Sequence, residues 1–163
     1  MAVAKGYRVV VESLESEDER EQLAAHVVLR VLLGTESNVS DLSRANGFVV
    51  LFRLVRGEIK ASPKVLAQTM QVLRLAGSNR VVAIEIKSSG FEMDIAKHLG
   101  STEVGLQAAT LDAIETILND EAGLKFCKQN NKLAGTLSAF STVASDISCK
   151  SHAKTLLEKL THN

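Results

Sequence analysis

Few side chains in this sequence could ligate a metal or attack a substrate: His26, His98, His152 and His162, with Cys127 and Cys149. No two of them stand at the CxxC or HxxxH spacing that metal sites use. His26 and His98 fall on predicted helices and read as packed or solvated side chains. Cys127 lies between Lys125 and Lys128, whose charge could draw its thiol toward the reactive thiolate. The plainer reading is a half-buried thiol on a short helix. Asp112/Glu115 and Asp120/Glu121 are acid pairs of the kind found on exposed helix faces. The chain has no GxGxxG, GxxxxGK[ST] or GxSxG, and its glycines stand singly near helix ends. The sequence therefore reads as a non-enzyme, with no cofactor and no metal.

Composition narrows what must position these residues. The chain has 163 residues, enough for one domain with a sizeable core. Aromatics make up only 4%, with no tryptophan, and proline occurs once. A β-sandwich wants more of both, so the balance leans helical. Formal net charge is zero, from 19 basic and 19 acidic groups. That argues against general nucleic-acid or anionic-membrane binding. The charge is uneven, however. Residues 1–45 carry 5 basic and 8 acidic groups, residues 46–100 carry 8 and 4, and residues 101–163 carry 6 and 7. Two cysteines make no disulfide framework, and no secretory leader or membrane-length apolar run is present. A cytoplasmic protein, with the nucleus not excluded, is the expectation.

The elements come in a repeat. "NGFVVLFRLVRG" (Asn46–Gly57) is echoed 43 residues later by "SGFEMDIAKHLG" (Ser89–Gly100), with Gly47, Phe48 and Gly57 returning as Gly90, Phe91 and Gly100. A long helix follows each, over Ser62–Asn79 and Ser101–Asp120. Ala67, Met70 and Leu73 stand 41 residues before Ala108, Leu111 and Ile114, at spacings that share one helix face. Ser62 suits an N-cap, with Pro63 at the first helical position. A short helix precedes each glycine–phenylalanine start, over Asn38–Asn46 and Asn79–Ser89. A third copy runs through Glu121–Asn131, Lys132–Ser145 and Ile147–Leu160, with Asn131 standing where the turn glycine is missing. Upstream, Ala2–Leu14 and Glu17–Leu33 read as the last two helices of a partial unit. Val9, Val10 and Val11 are expected to be exposed there. Gly47 and Gly90 are expected at positive φ, and Val104 in the core.

Three helices per roughly 42 residues, with a glycine between the first two, resembles the armadillo repeat and its HEAT relatives. The resemblance covers nearly the whole chain. It implies one all-α domain over residues 1–163, a right-handed α-solenoid of about three and a half armadillo-like units. The units are 1–37 (partial), 38–79, 80–120 and 121–163. Stacking gives each unit the apolar contacts it cannot make alone. The tryptophan–asparagine ladder of nuclear-import armadillo proteins is absent, as there is no tryptophan.

The resemblance also implies a role: binding an extended segment of another protein in a concave groove lined by the third helices. The helical wheel puts Arg20 and Arg30 of the first unit there. Lys64, Gln68, Gln71, Arg74 and Ser78 follow in the second unit. Asp112, Thr116 and Asn119 come next, with Glu115 at their edge, and then Lys154 with Glu158. A basic stripe of Arg20, Arg30, Lys64 and Arg74 favours an acidic or phosphorylated segment. Two other roles are open: a co-chaperone or regulator clasping a folded domain, and an assembly subunit of a cytoskeletal, ciliary or trafficking complex. The latter docks, or self-associates, through apolar solenoid ends. Either the chain is a piece of a longer solenoid or something else covers those ends.

Overall fold

The computed structural model describes residues 2–77 and 90–162, with side chains from Gly6 onward. Among these residues the chain is all-α and holds no strand. The helices are α1 (Ala2–Leu14), α2 (Glu19–Leu32), α3 (Glu36–Arg44), α4 (Gly47–Arg56) and α5 (Pro63–Gly77). After the undescribed stretch come α6 (Phe91–Ala96), a 3-10 turn (Lys97–Gly100), α7 (Val104–Asn119), α8 (Glu121–Asn130), α9 (Lys132–Val143) and α10 (Ile147–Thr161). The short helix expected over Asn79–Ser89 lies outside the described residues. No described helix is long and apolar enough to cross a membrane.

Local chemistry sets the boundaries. Asp18, Asp120 and Asp146 each accept a backbone N–H of the following helix at 2.8 Å, which satisfies a donor the helix leaves unpaired. Ser62 Oγ accepts from Val65 N at 3.3 Å and donates to Glu19 at 2.7 Å, so the cap of α5 also ties it to α2. Left-handed residues separate the short helices: Asn46 at φ 60°, Gly90 at 65° and Asn131 at 53°. Gly90 and Asn131 meet the expectation. Gly47 does not, because the preceding Asn46 takes the left-handed turn. What Gly47 supplies is room. A Cβ there would stand 2.2 Å from Leu42 Cδ1 and 2.6 Å from its Cγ.

Packing follows the sequence order at the spacing of the repeat. The long helices touch in series, α2 on α5, α5 on α7 and α7 on α10, while α1, α4, α6 and α9 make a second series. Phe48 and Phe91 are buried at the start of α4 and α6, as expected. Polar links between neighbours recur at fixed separations. Arg30–Gln68, Arg53–Glu15, Arg56–Asp94, Asn130–Glu92 and Gln22–Lys60 are all 38 residues apart. His26–Thr69, Ser62–Glu19 and His98–Val55 are all 43 apart. Two apolar positions depart from expectation. Val11 is buried, because α1 turns that edge inward with Tyr7 and Leu14, whereas Val9 is exposed as expected. Val104 is 42% exposed, because it opens α7 before the helix meets its neighbours.

The buried polar pair His26–Thr69 joins α2 to α5. His26 Nδ1 lies 2.7 Å from the Gln22 carbonyl, and Nε2 lies 2.8 Å from Thr69 Oγ1. A carbonyl only accepts, so the neutral ring carries its proton on Nδ1, while Nε2 shares the single Thr69 hydroxyl proton with the Val65 carbonyl, which lies 3.0 Å from Thr69 Oγ1. Burial lowers the pKa of His26, against a smaller opposing effect of the Gln22 carbonyl. The unfolded chain therefore gains a proton at a pH where the folded chain does not. The stability this group contributes is present in full above about pH 6.5 and is lost as pH falls through that value, until the folded-state pKa is reached. In that window the limiting slope for one such group is about 1.4 kcal/mol per pH unit. Urea unfolding at pH 7.5 and 5.5 should show falling stability, and the fall should be shallower in His26→Gln. An equal slope in the variant would assign the pH dependence to other groups.

Candidate functional site

The long helices α2, α5, α7 and α10 leave one side chain row after another outside the core. On α5, Lys64 and Arg74 are exposed and Gln68 and Gln71 half-buried. On α7, Asp112, Glu115 and Thr116 are half-buried and Asn119 is exposed. Arg30 on α2 donates to Gln68 Oε1 at 3.3 Å, which bridges α2 to α5. Thr116 packs so close to α5 that a Cβ on Gly77 would meet its Cγ2 at 2.9 Å. Arg30, Gln68 and Thr116 are thus brought to the seams between successive helices. Ser78 lies outside the described residues.

Arg20 is exposed on α2, about 80° around the helix from Arg30 and on the side of Val27 and Val31. Lys154 is exposed on α10, about 160° around from His152. His152 and Lys159 are α10 residues that pair with side chains of α7.

The α7–α10 seam holds a cluster of charged and polar side chains. His152 Nε2 lies 3.2 Å from Glu115 Oε2, and Nδ1 lies 3.8 Å from Asp112 Oδ1. Lys159 Nζ lies 3.5 Å from Glu115 Oε1 and donates to Asn119 Oδ1 at 2.8 Å. The acids come one helical turn apart on α7, so both carboxylates face the same way. His152 and Lys159 are seven residues apart on α10 and likewise share a face.

At the other end of the row, Val27, Arg30, Val31 and Leu75 line a cleft of about 380 Å³ between α2 and α5. Val31 is 78% exposed there, an unusual place for a branched apolar side chain. The cleft offers an apolar floor with a guanidinium at its edge. A second cleft, of about 370 Å³, runs along α8 beside Leu124, Lys125 and Lys128.

Neither a protein-family model nor a curated protein matches this chain. Its surface must therefore be interpreted from chemistry alone.

Both cysteines are buried free thiols whose environment favours the protonated form. Burial pushes the Cys127 thiol up to about 12, with the charge of Glu92 adding to the effect. The flanking Lys125 and Lys128 do not offset this. Burial likewise raises Cys149, helped by Asp146 and Asp112. His98 lies in the 3-10 turn, and its Nε2 donates to the Val55 carbonyl of α4 at 2.7 Å. Sequence reasoning missed His152 and Lys159 as site residues. Their partners lie 37–44 residues upstream, so no local motif contains them.

Proposed function

We propose that this chain is a non-enzymatic scaffold that holds a segment of another protein along the row of long helices. In this reading the helices form a short right-handed solenoid of armadillo-like units, and the row is its concave face. The observation that carries it is the recurrence of polar links at separations of 38 and 43 residues, together with the two series of helix contacts. A chain that repeats its neighbour contacts at one period builds an extended surface. Such surfaces suit extended partners.

The partner's chemistry follows from the α2–α5 end. Lys64 and Arg74 are exposed, and Arg30 borders the apolar cleft. An acidic or phosphorylated segment with one apolar anchor fits that combination. Charge-assisted bonds fix its register, and the apolar side chain fills the cleft.

Charge reversal tests this. Lys64→Glu with Arg74→Glu should weaken partner capture from native cell extract at least tenfold. Both side chains are exposed, so helicity and unfolding free energy should stay within about 0.5 kcal/mol of the parent. Undiminished capture by a folded double variant would remove the groove from the binding surface.

The exposed valines of α2 favour a second reading, an assembly subunit. Val27, Val28 and Val31 are 59%, 42% and 78% exposed on one helix. Docking through that end would survive the double charge reversal and fail on Val31→Asp.

A further inference from the structure

We propose that Asp112, Glu115 and His152 form a divalent-cation site that takes zinc. The inference does not rest on the segment-binding reading. Each of the three residues offers one ligand atom, and these atoms lie within 4.8 Å of one another. All three are half-buried side chains on two packed helices, α7 and α10. Helices hold ligands more firmly than loops do, so little order must be imposed on binding.

The distances admit an ion. Zinc binds imidazole nitrogen and carboxylate oxygen at about 2.0–2.1 Å, so neighbouring ligands on a tetrahedral ion stand about 3.4 Å apart. The 3.2 Å from His152 Nε2 to Glu115 Oε2 is close to that value, whereas the 3.8 Å to Asp112 Oδ1 is measured from the other ring nitrogen. The 3.8 Å gap to Asp112 is too long for a hydrogen bond. Both ring nitrogens also face carboxylates. A cation takes the lone pair of one of these nitrogens together with carboxylate oxygen, and so joins α10 to α7 through coordinate bonds.

One nitrogen and two carboxylate oxygens make a borderline donor set. Imidazole favours zinc over magnesium or calcium, which prefer oxygen alone. Cys149 sits one turn before His152, but its buried thiol is not among the ligand atoms gathered there. Three protein ligands leave a fourth position for water, the pattern of open zinc sites. Lys159 opposes the ion, since its ammonium lies 3.5 Å from Glu115.

Titration calorimetry of the full chain with zinc chloride at pH 7.5 tests the site. The parent should bind one zinc per chain in a saturable step. His152→Ala and Asp112→Asn should each weaken that step at least tenfold, with circular dichroism unchanged. His162→Ala and Cys127→Ser should leave it intact. Lys159→Gln should tighten it several-fold by removing a competing charge. An absent saturable step overturns the proposal, and so does a step that persists in His152→Ala. Unchanged or weaker binding in Lys159→Gln would take Glu115 out of the ligand set, and the three-ligand site with it.

Discussion

Replacing Phe91 with alanine is expected to cost about 3–5 kcal/mol of unfolding free energy, the range for deleting a fully buried phenylalanine. Phe91 is 0% exposed and opens α6 directly after the left-handed Gly90. Its ring meets Phe52 of α4 at 4.3 Å between centroids, with planes tilted by 48°. The Arg56 guanidinium lies 5.6 Å above the same ring, and Arg56 also pairs with Asp94 at 2.8 Å. One side chain thus carries the packing between α4 and α6. The void cannot close easily, because Phe52 and Ile95 are themselves buried around it. Domains of this size are stable by about 5–15 kcal/mol, so the loss is a large share of the whole. Urea denaturation followed at 222 nm measures it. Phe91→Leu should retain most of the stability, since it keeps most of the volume. A small loss in Phe91→Ala would mean that the α4–α6 junction is held elsewhere.

The helices were legible in the sequence because their ends carry caps. Ser62 and Pro63 start α5 where expected, and Asn131 takes the left-handed turn that a glycine takes at position 90. Boundaries then fall within two or three residues of the periodic pattern. Positions whose role depends on a neighbour were less legible. Gly47 has the sequence context of a turn glycine, yet the turn is one residue earlier and Gly47 is needed for the approach of Leu42. Nothing local distinguishes those two demands. Val11 and Val104 illustrate the same limit for burial, since only the packed neighbours decide which edge of a helix is covered.

The proposed binding surface was half legible for a related reason. Lys64, Arg74, Asp112 and Glu115 follow from the wheel of a single helix. His152 does not, because its role depends on how α10 is rotated against α7. A shift of two residues in that rotation exchanges His152 for Lys154 and replaces a metal ligand by a cation. Periodicity within a helix cannot fix a rotation between helices, and contacts 40 residues apart leave no trace in a short motif.

The helix junctions give the second large effect, in which one substitution has opposite signs at two sites. Gly123→Ala is expected to destabilise the chain by about 3 kcal/mol, at the upper end of overpacking costs. A Cβ at Gly123 would stand 2.2 Å from the carbonyl oxygen of Ile117 and 3.2 Å from its carbon. Those are backbone atoms in the last turn of α7, so no rotamer can give way. Helix α8 must move off α7, and the Asp120 cap that accepts from Gly123 N at 2.8 Å must move with it. Gly135→Ala, inside α9, meets nothing within 4 Å. There the ordinary helix preference for alanine applies, and stability should rise by up to about 1 kcal/mol. Thermal melts of the two variants beside the parent should move Tm in opposite directions. The comparison controls for propensity, because both glycines lie in helices and gain the same methyl group. A rise in both would show that α8 rests farther from the Ile117 carbonyl than 2.2 Å implies. A fall in Gly123→Ala alone would identify this contact as what fixes the angle between α7 and α8.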